Sequence, residues 1–134
     1  MTSKVVYQGE LRTTCTHLKS GDQFNTDAPV DNHGLGEAFS PTDTVATGLA
    51  SCMLTMMGIR YGDGQPSLEG AYGEVTKHMA ANPRRIARID VDLYLPVGIS
   101  EKNRQLLEKT ARTCPVWYSL HEDIQKEIRF FWTL

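Results

Sequence analysis

Three cysteines, Cys15, Cys52 and Cys114, are the residues of this 134-residue chain whose type best fits redox chemistry. An odd number of thiols cannot form a closed set of disulfides, and a reducing compartment keeps thiols free. A free thiol becomes a nucleophile when a nearby cation or free backbone N–H groups stabilise its thiolate. Two such thiols can alternate between the reduced dithiol and a disulfide.

Cys52 falls within a long apolar segment that is predicted to be helical. A cysteine in such a place often packs as a small hydrophobic residue. Burial raises the pKa of a thiol, so a reactive Cys52 would require a cation nearby. The helix dipole does not supply this charge, because its effect is confined to the first turn. A core residue and a nucleophile therefore both fit this position.

Cys114 precedes Pro115, a residue that favours the first position of a helix. If a short helix covers 115–120, Cys114 is its N-cap, where free N–H groups favour an anion. The alternative is a loop cysteine that fills a gap between helices. Cys15 lies between two threonines on a predicted strand, and we predict that it takes no part in the chemistry.

Three charged residues could help to activate a reactive cysteine: Arg12 as a cation beside the thiolate, and Glu37 or Asp43 as an acid beside Arg12. Arg12 begins a predicted strand and is either a solvated surface residue or a cation that faces the reactive sulfur. Asp43 is the third residue after Ser40, so a capping box at a helix start is sufficient to explain it. If Arg12 is functional, either Glu37 or Asp43 could orient it.

Other functional classes lack their signals. The four histidines form no close pair with another His or Cys, and no CxxC or HExxH motif is present, so we predict no metal. No glycine-rich phosphate loop indicates a nucleotide cofactor. A net charge of −2 without a basic patch argues against nucleic-acid and membrane partners. The N-terminus lacks a secretory signal and no segment is long enough to span a membrane, so we expect a cytoplasmic protein.

Alternating and helical patterns predict an α+β fold in one domain, 1–134, with the order βββαββαβ. The predicted strands cover 4–11, 12–18, 23–26, 67–80, 85–97 and 127–134, and the predicted helices cover 41–61, 101–113 and 115–120. Residues 27–40 are rich in Gly, Asp, Asn and Pro and are predicted to be a loop. A loop of this length is often functional.

The helix over 41–61 is predicted to be buried inside the protein. Its apolar stripe is predicted to contain Val45, Leu49, Cys52, Met56 and Ile59, widened by Met53 and Met57. The strand over 85–97 is predicted to bury one face, which contains Ile89, Val91, Leu93 and Leu95. The helix over 101–113 is predicted to turn Leu106, Leu107, Thr110 and Ala111 inward.

The segment Ser20 to Ile59 resembles the OsmC-like branch of the OsmC/Ohr (organic hydroperoxide resistance) superfamily. Members have Ser-Pro, an acid two residues after the proline, and a reactive cysteine on the following helix; here these are Ser40-Pro41, Asp43 and Cys52. Their second cysteine stands in a Cys-Pro-Val context, which is Cys114-Pro115-Val116 here. The resemblance covers nearly the whole chain. Thr42 stands where the Ohr branch has Glu, and Trp117 stands where many relatives have His.

The resemblance implies an intertwined homodimer with two active sites at the subunit interface. It implies that Cys52 attacks an organic hydroperoxide and that Cys114 then forms a disulfide with it. A dithiol, which is a lipoyl group in the Ohr branch, would reduce that disulfide. Arg12 would be the activating cation and Asp43 the acid that orients it. No cofactor is implied.

Two alternatives to a hydroperoxide reductase stay open at the level of sequence. One is a different thiol enzyme on the same scaffold, and the other is a non-catalytic stress or binding protein whose cysteines fill the core. A fold does not by itself fix a function.

Overall fold

Two compact units, Met1–Val45 and Ala46–Leu134, make up the chain in the computed structural model, which describes all residues from Met1 to Leu134. The strands are β1 (Ser3–Gly9), β2 (Arg12–His17), β3 (Gln23–Asp27), β4 (Tyr72–Ala80), β5 (Arg85–Leu95) and β6 (Gln125–Trp132). The helices are α1 (Pro41–Tyr61), α2 (Glu101–Ala111) and α3 (Pro115–Ser119). The α+β class and the predicted order are confirmed. A single domain over 1–134 stays a prediction.

The first unit contains an antiparallel sheet in the order β1-β2-β3. Threonines dominate β2, and their β-branched side chains favour extended backbone. Residues directly opposite each other in antiparallel strands share a face. One face therefore contains Val5, Cys15 and Phe24, which are paired in register across the three strands. The other face is polar: Thr14 donates to Asn25 Oδ1 at 2.9 Å.

The loop that follows β3 has its two ends side by side. The Asp27 N–H donates to the Phe39 carbonyl at 2.9 Å, and a 3₁₀ turn occupies Val30–Asn32. Gly34 lies against the backbone of Ala28, where any Cβ would overlap the Ala28 carbonyl. A compact loop with closed ends of this kind is an Ω-type loop, which can hold a side chain in a defined place.

A capping box begins α1, as the Ser40-Pro41-Thr42-Asp43 sequence predicts. The Ser40 N–H donates to Asp43 Oδ2 at 2.9 Å, and the Asp43 N–H donates to Ser40 Oγ at 3.1 Å. Gly62, with a φ of +60°, follows the last helical residue, and its N–H bonds the Gly58 carbonyl. The helix therefore has the predicted bounds.

The predicted apolar stripe of α1 is confirmed at Leu49, Met53 and Met57 and was wrong at Val45 and Ile59. The fully buried residues of α1 are Ala46, Leu49, Ala50, Met53 and Met57. Val45 and Ile59 are 41% and 70% exposed, so α1 is not buried on all sides. The cause is a close approach to the sheet on the small-residue side: a Cβ on Gly73 of β4 would lie 3.6 Å from the Ala50 Cβ.

The second unit contains a sheet in the order β4-β5-β6, with β4 and β5 antiparallel and β5 and β6 parallel. The predicted inner face of β5 is confirmed, since Ile89, Val91, Leu93 and Leu95 are all inaccessible to solvent. In α2, Leu107 and Ala111 are buried, whereas Leu106 and Thr110 are only partly buried.

Helix α2 is joined to β6 by polar contacts as well as by packing. The Trp132 Nε1–H donates to Glu108 Oε1 at 3.1 Å, and the Arg104 guanidinium lies 5.4 Å from the centre of the Trp132 ring. Strand β4 starts at Tyr72, later than predicted, because a turn in which the Ala71 N–H bonds the Leu68 carbonyl precedes it. None of the helices combines the length and apolar character that membrane crossing requires.

Candidate functional site

A pair of neighbouring thiols lies in the second unit. Cys52, on α1, and Cys114, at the start of α3, are neighbours, close enough for Cys52 to raise the pKa of Cys114, and both are free thiols. Cys114 is fully buried, whereas Cys52 is partly exposed. The two cysteines of the pair therefore differ in their access to solvent.

Cys114 is the N-cap of α3, as predicted. The Trp117 N–H donates to Cys114 Sγ at 3.4 Å. Burial nevertheless raises the pKa of Cys114, and the neighbouring Cys52 raises it further, against the lowering effect of the Trp117 and Val116 N–H groups. The predicted electrostatic advantage of the N-cap is thus outweighed by desolvation. Cys114 is therefore a protonated thiol at neutral pH.

Trp117, which stands where many relatives have histidine, is partly buried and carries a cation over its ring. The Lys126 ammonium lies 5.3 Å from the centre of that ring and donates to the Ile124 carbonyl at 3.1 Å. A cation over an indole face is a favourable contact. The position thus carries an aromatic surface with a fixed positive charge instead of a titratable imidazole.

A second polar cluster surrounds Arg12 in the first unit. Arg12 donates from Nε and Nη2 to the two carboxylate oxygens of Asp27, at 2.7 and 2.8 Å, which is a bidentate ion pair. Glu37 Oε2 accepts from the same Nη2 at 3.3 Å. The hydrogen bonds that Arg12 donates to Asp27 raise the pKa of Arg12, so this side chain is permanently cationic. The hydrogen bond from Arg12 holds the pKa of Asp27 below its usual value despite burial.

The two acids predicted from sequence to orient Arg12 have different positions. Glu37 contacts Arg12, and Asp43 takes part in the capping box at the start of α1. Asp27 is the main partner of Arg12, and the sequence reasoning missed it. The hairpin register contained a signal: continuing the pairs from the turn between β2 and β3 places Asp27 directly opposite Arg12.

A shallow cavity opens next to Glu37. Its lining includes Asn25, Glu37, Phe39 and Asp43, so it combines polar groups with one exposed aromatic ring. Cys15 lies on the opposite face of the sheet from Asn25, with the Thr13 hydroxyl 3.9 Å from its sulfur. No three His, Cys, Asp or Glu side chains are grouped so as to hold a metal ion.

The fold and the paired cysteines together define a dithiol protein of α+β architecture. The chain belongs to the OsmC family: residues 34–129 match the family described as OsmC-like protein. No curated protein sequence gives a significant match to the chain.

Solved structures extend the likeness over nearly the full length. A proposed osmotic stress induced and detoxification response protein from Psychrobacter arcticus is 48% identical, with a TM-score of 0.93 over 97% of this chain and 95% of that one. An organic hydroperoxide resistance protein OsmC from Legionella pneumophila is 15% identical, with a TM-score of 0.75 over 98% and 97%. A proposed organic hydroperoxide resistance protein from Vibrio cholerae, with captopril in one of its active sites, is 15% identical, with a TM-score of 0.73 over 97% and 91%. The last two establish the shared fold.

Proposed function

We propose that the chain is a thiol-dependent peroxidase that reduces organic hydroperoxides as part of a stress response. The observation that carries the proposal is the reduced pair itself, with a partly exposed Cys52 next to a buried Cys114. The OsmC family membership and the hydroperoxide resistance role named for fold relatives give further support.

The proposed cycle has three balanced steps. The Cys52 thiolate attacks the O–O bond of the hydroperoxide, forms a sulfenic acid and releases the alcohol. The Cys114 thiol then condenses with the sulfenic acid, which forms the Cys52–Cys114 disulfide and releases water. A dithiol, of the lipoyl type or another, reduces the disulfide and becomes a disulfide itself.

The unequal burial of the two sulfurs suits these roles. Peroxide can reach Cys52, while burial protects Cys114 from direct oxidation and keeps it protonated until a sulfenic acid forms beside it. In the proposal Arg12 is the activating cation, and Asp43 fixes the start of the helix that carries Cys52. Met53 and Met57 belong to the core, so among the methionines of α1 only the partly buried Met56 is available to contact substrate.

The proposal includes a homodimer. On the apolar face of the first sheet, Val5, Tyr7 and Phe24 are 59%, 65% and 51% exposed, which is unusual for aligned large apolar residues of a sheet. A second copy that covers this face would bury them. We expect sedimentation equilibrium to give a dimer, Phe24→Lys to dissociate it, and Thr16→Lys, on the polar face, to leave it intact. A monomeric wild-type chain at micromolar concentration would refute the dimer.

A reducing compartment goes with this mechanism, because the cycle starts from two free thiols and needs a dithiol donor. We therefore propose a cytoplasmic location.

The deciding experiment measures dithiol-dependent consumption of cumene hydroperoxide and of hydrogen peroxide. We expect the wild type to prefer the organic peroxide, and Cys52→Ser to lose turnover. In the absence of the dithiol, Cys114→Ser should consume one equivalent of peroxide and stop with a Cys52 sulfenic acid that a sulfenic-acid reagent captures. The matched control, Cys15→Ser, should keep full activity.

Failure has two distinct forms. No turnover of either peroxide by the wild type would contradict the peroxidase and favour another thiol reaction or a non-catalytic binding protein. Activity that survives Cys52→Ser would exclude Cys52 as the nucleophile.

A further inference from the structure

The two carboxylates on Arg12 are held in very different ways. Asp27 is 1% exposed, binds both Nε and Nη2, and also accepts the Glu37 backbone N–H at 3.2 Å. Its own backbone N–H bonds the Phe39 carbonyl. Asp27 is thus fixed from several directions, and leaving Arg12 would cost its buried carboxylate two charge-assisted hydrogen bonds.

Glu37, in contrast, is 68% exposed and makes one hydrogen bond to Arg12, at 3.3 Å. A single contact between exposed charged groups has a small net free energy, because water competes for both partners. The Glu37 side chain also borders the open cavity. Its carboxylate can therefore leave Arg12 at little cost.

The guanidinium has two edges that can bind a planar anion, and only one is filled. Asp27 occupies the edge formed by Nε and Nη2. The other edge, formed by Nη1 and Nη2, carries the single bond to Glu37, and none of the Arg12 hydrogen bonds uses Nη1. A carboxylate or similar oxyanion could make two bonds there, which is the stronger arrangement.

We propose that the Nη1–Nη2 edge of Arg12 is an exchangeable anion site, in which Glu37 is a built-in competitor and Asp27 is the positioning residue. The ligand is an oxygen with full or developing negative charge, such as a carboxylate or the alkoxide that departs when an O–O bond breaks. This inference deepens the proposed function and rests on it for its catalytic meaning. With both carboxylates on Arg12 the cluster carries a net charge of about −1, which disfavours a further anion; when Glu37 withdraws, Arg12 and Asp27 balance and the repulsion is removed.

Anion binding can be tested without any peroxide. Acetate is titrated into the reduced protein while the Arg12 Nε–H resonance is followed by nuclear magnetic resonance. Glu37→Gln should bind acetate about two- to fivefold more tightly than the wild type, a ratio matching the strength of an exposed ion pair. Glu69→Gln removes the same charge at an exposed position whose side chain is not in this cluster, and it should behave as the wild type. Equal affinities in Glu37→Gln and wild type would overturn the inference.

Peroxidase assays give the catalytic half of the test. Glu37→Gln should raise kcat/KM for cumene hydroperoxide about two- to fivefold, and added acetate should then inhibit it more strongly than the wild type. Asp27→Asn should lower kcat/KM by roughly tenfold to a hundredfold, because the guanidinium loses its orientation. If Asp27→Asn does not fold, the result for Glu37→Gln alone decides whether the anion site exists.

The outcomes separate this inference from the proposed function. A wild type without Cys52-dependent turnover, combined with tighter acetate binding in Glu37→Gln, would refute the peroxidase and keep the anion site. An active wild type with a slower Glu37→Gln would refute Glu37 as a competitor and keep the peroxidase.

Discussion

The arginine cluster of the first unit and the thiol pair of the second are positioned by different forces. Hydrogen bonds and charge hold Arg12, and the buried residues of that unit are the polar Thr26, Asp27 and Ser40. Apolar packing holds the thiols, since Cys114 belongs to a core that includes Met53 and Leu107. A polar cluster responds to charge and pH, whereas a packed core responds to lost volume.

Among these predictions, truncation of a core side chain in the second unit should cause the largest loss of stability. Met53→Ala should lower the free energy of unfolding by about 2–5 kcal/mol, because it removes a fully buried side chain and leaves a cavity. Urea denaturation measures the loss. Met56→Ala is the matched control, since Met56 is only partly buried and should cost less. A loss in Met53→Ala no greater than in the control would mean that packing does not hold this region.

Removal of the buried Asp27 carboxylate should lower the free energy of unfolding by an amount that depends on pH. Because the pKa of Asp27 is lowered in the folded state, its contribution to stability is complete above the unfolded-state pKa, about 4, and disappears as pH falls through the folded-state pKa. Asp27→Asn should therefore be less stable than the wild type at pH 7, and the difference should narrow below about pH 4. Urea midpoints measured from pH 7 to pH 2.5 provide the comparison. A difference that is independent of pH would contradict the ionic account.

Loss of the cap on α1 should give the smallest effect. Ser40→Ala removes the hydroxyl that accepts the Asp43 N–H and should cost about 1 kcal/mol of unfolding free energy. Ser51→Ala, in the exposed middle of the same helix, should leave stability unchanged or slightly higher. If the two variants have equal stability, the capping box has no energetic role.

Local signals in the sequence were sufficient for much of the fold. The capping box and Gly62 determine both ends of α1, the alternation of β5 determines its buried face, and Pro115 opens α3 as predicted. These features depend on residues close together in the chain, so their physical causes are visible in a short window.

The buried side of α1 could not be predicted in the same way. Apolar residues surround the helix, so several faces satisfy the pattern equally well. The face that is buried depends on Gly73, which is distant in sequence and lets Ala50 approach the sheet. Asp27 was missed because it stands at the junction of a strand and a loop, where a local pattern assigns it to a turn. Its role becomes visible only when the β2–β3 register is continued to Arg12.

The unequal exposure of the two sulfurs also gives the proposed disulfide a direction. A thiol reductant must attack along the S–S axis, and of the two cysteines only Cys52 is partly exposed, whereas Cys114 is buried. The mixed disulfide would then form on Cys52, and Cys114 would depart as the leaving group. The Trp117 N–H, already bonded to that sulfur, would stabilise the charge that develops on it. Burial of Cys114 would thus make Cys52 the sulfur that the reductant attacks and Cys114 the sulfur that receives the electron pair of the broken bond.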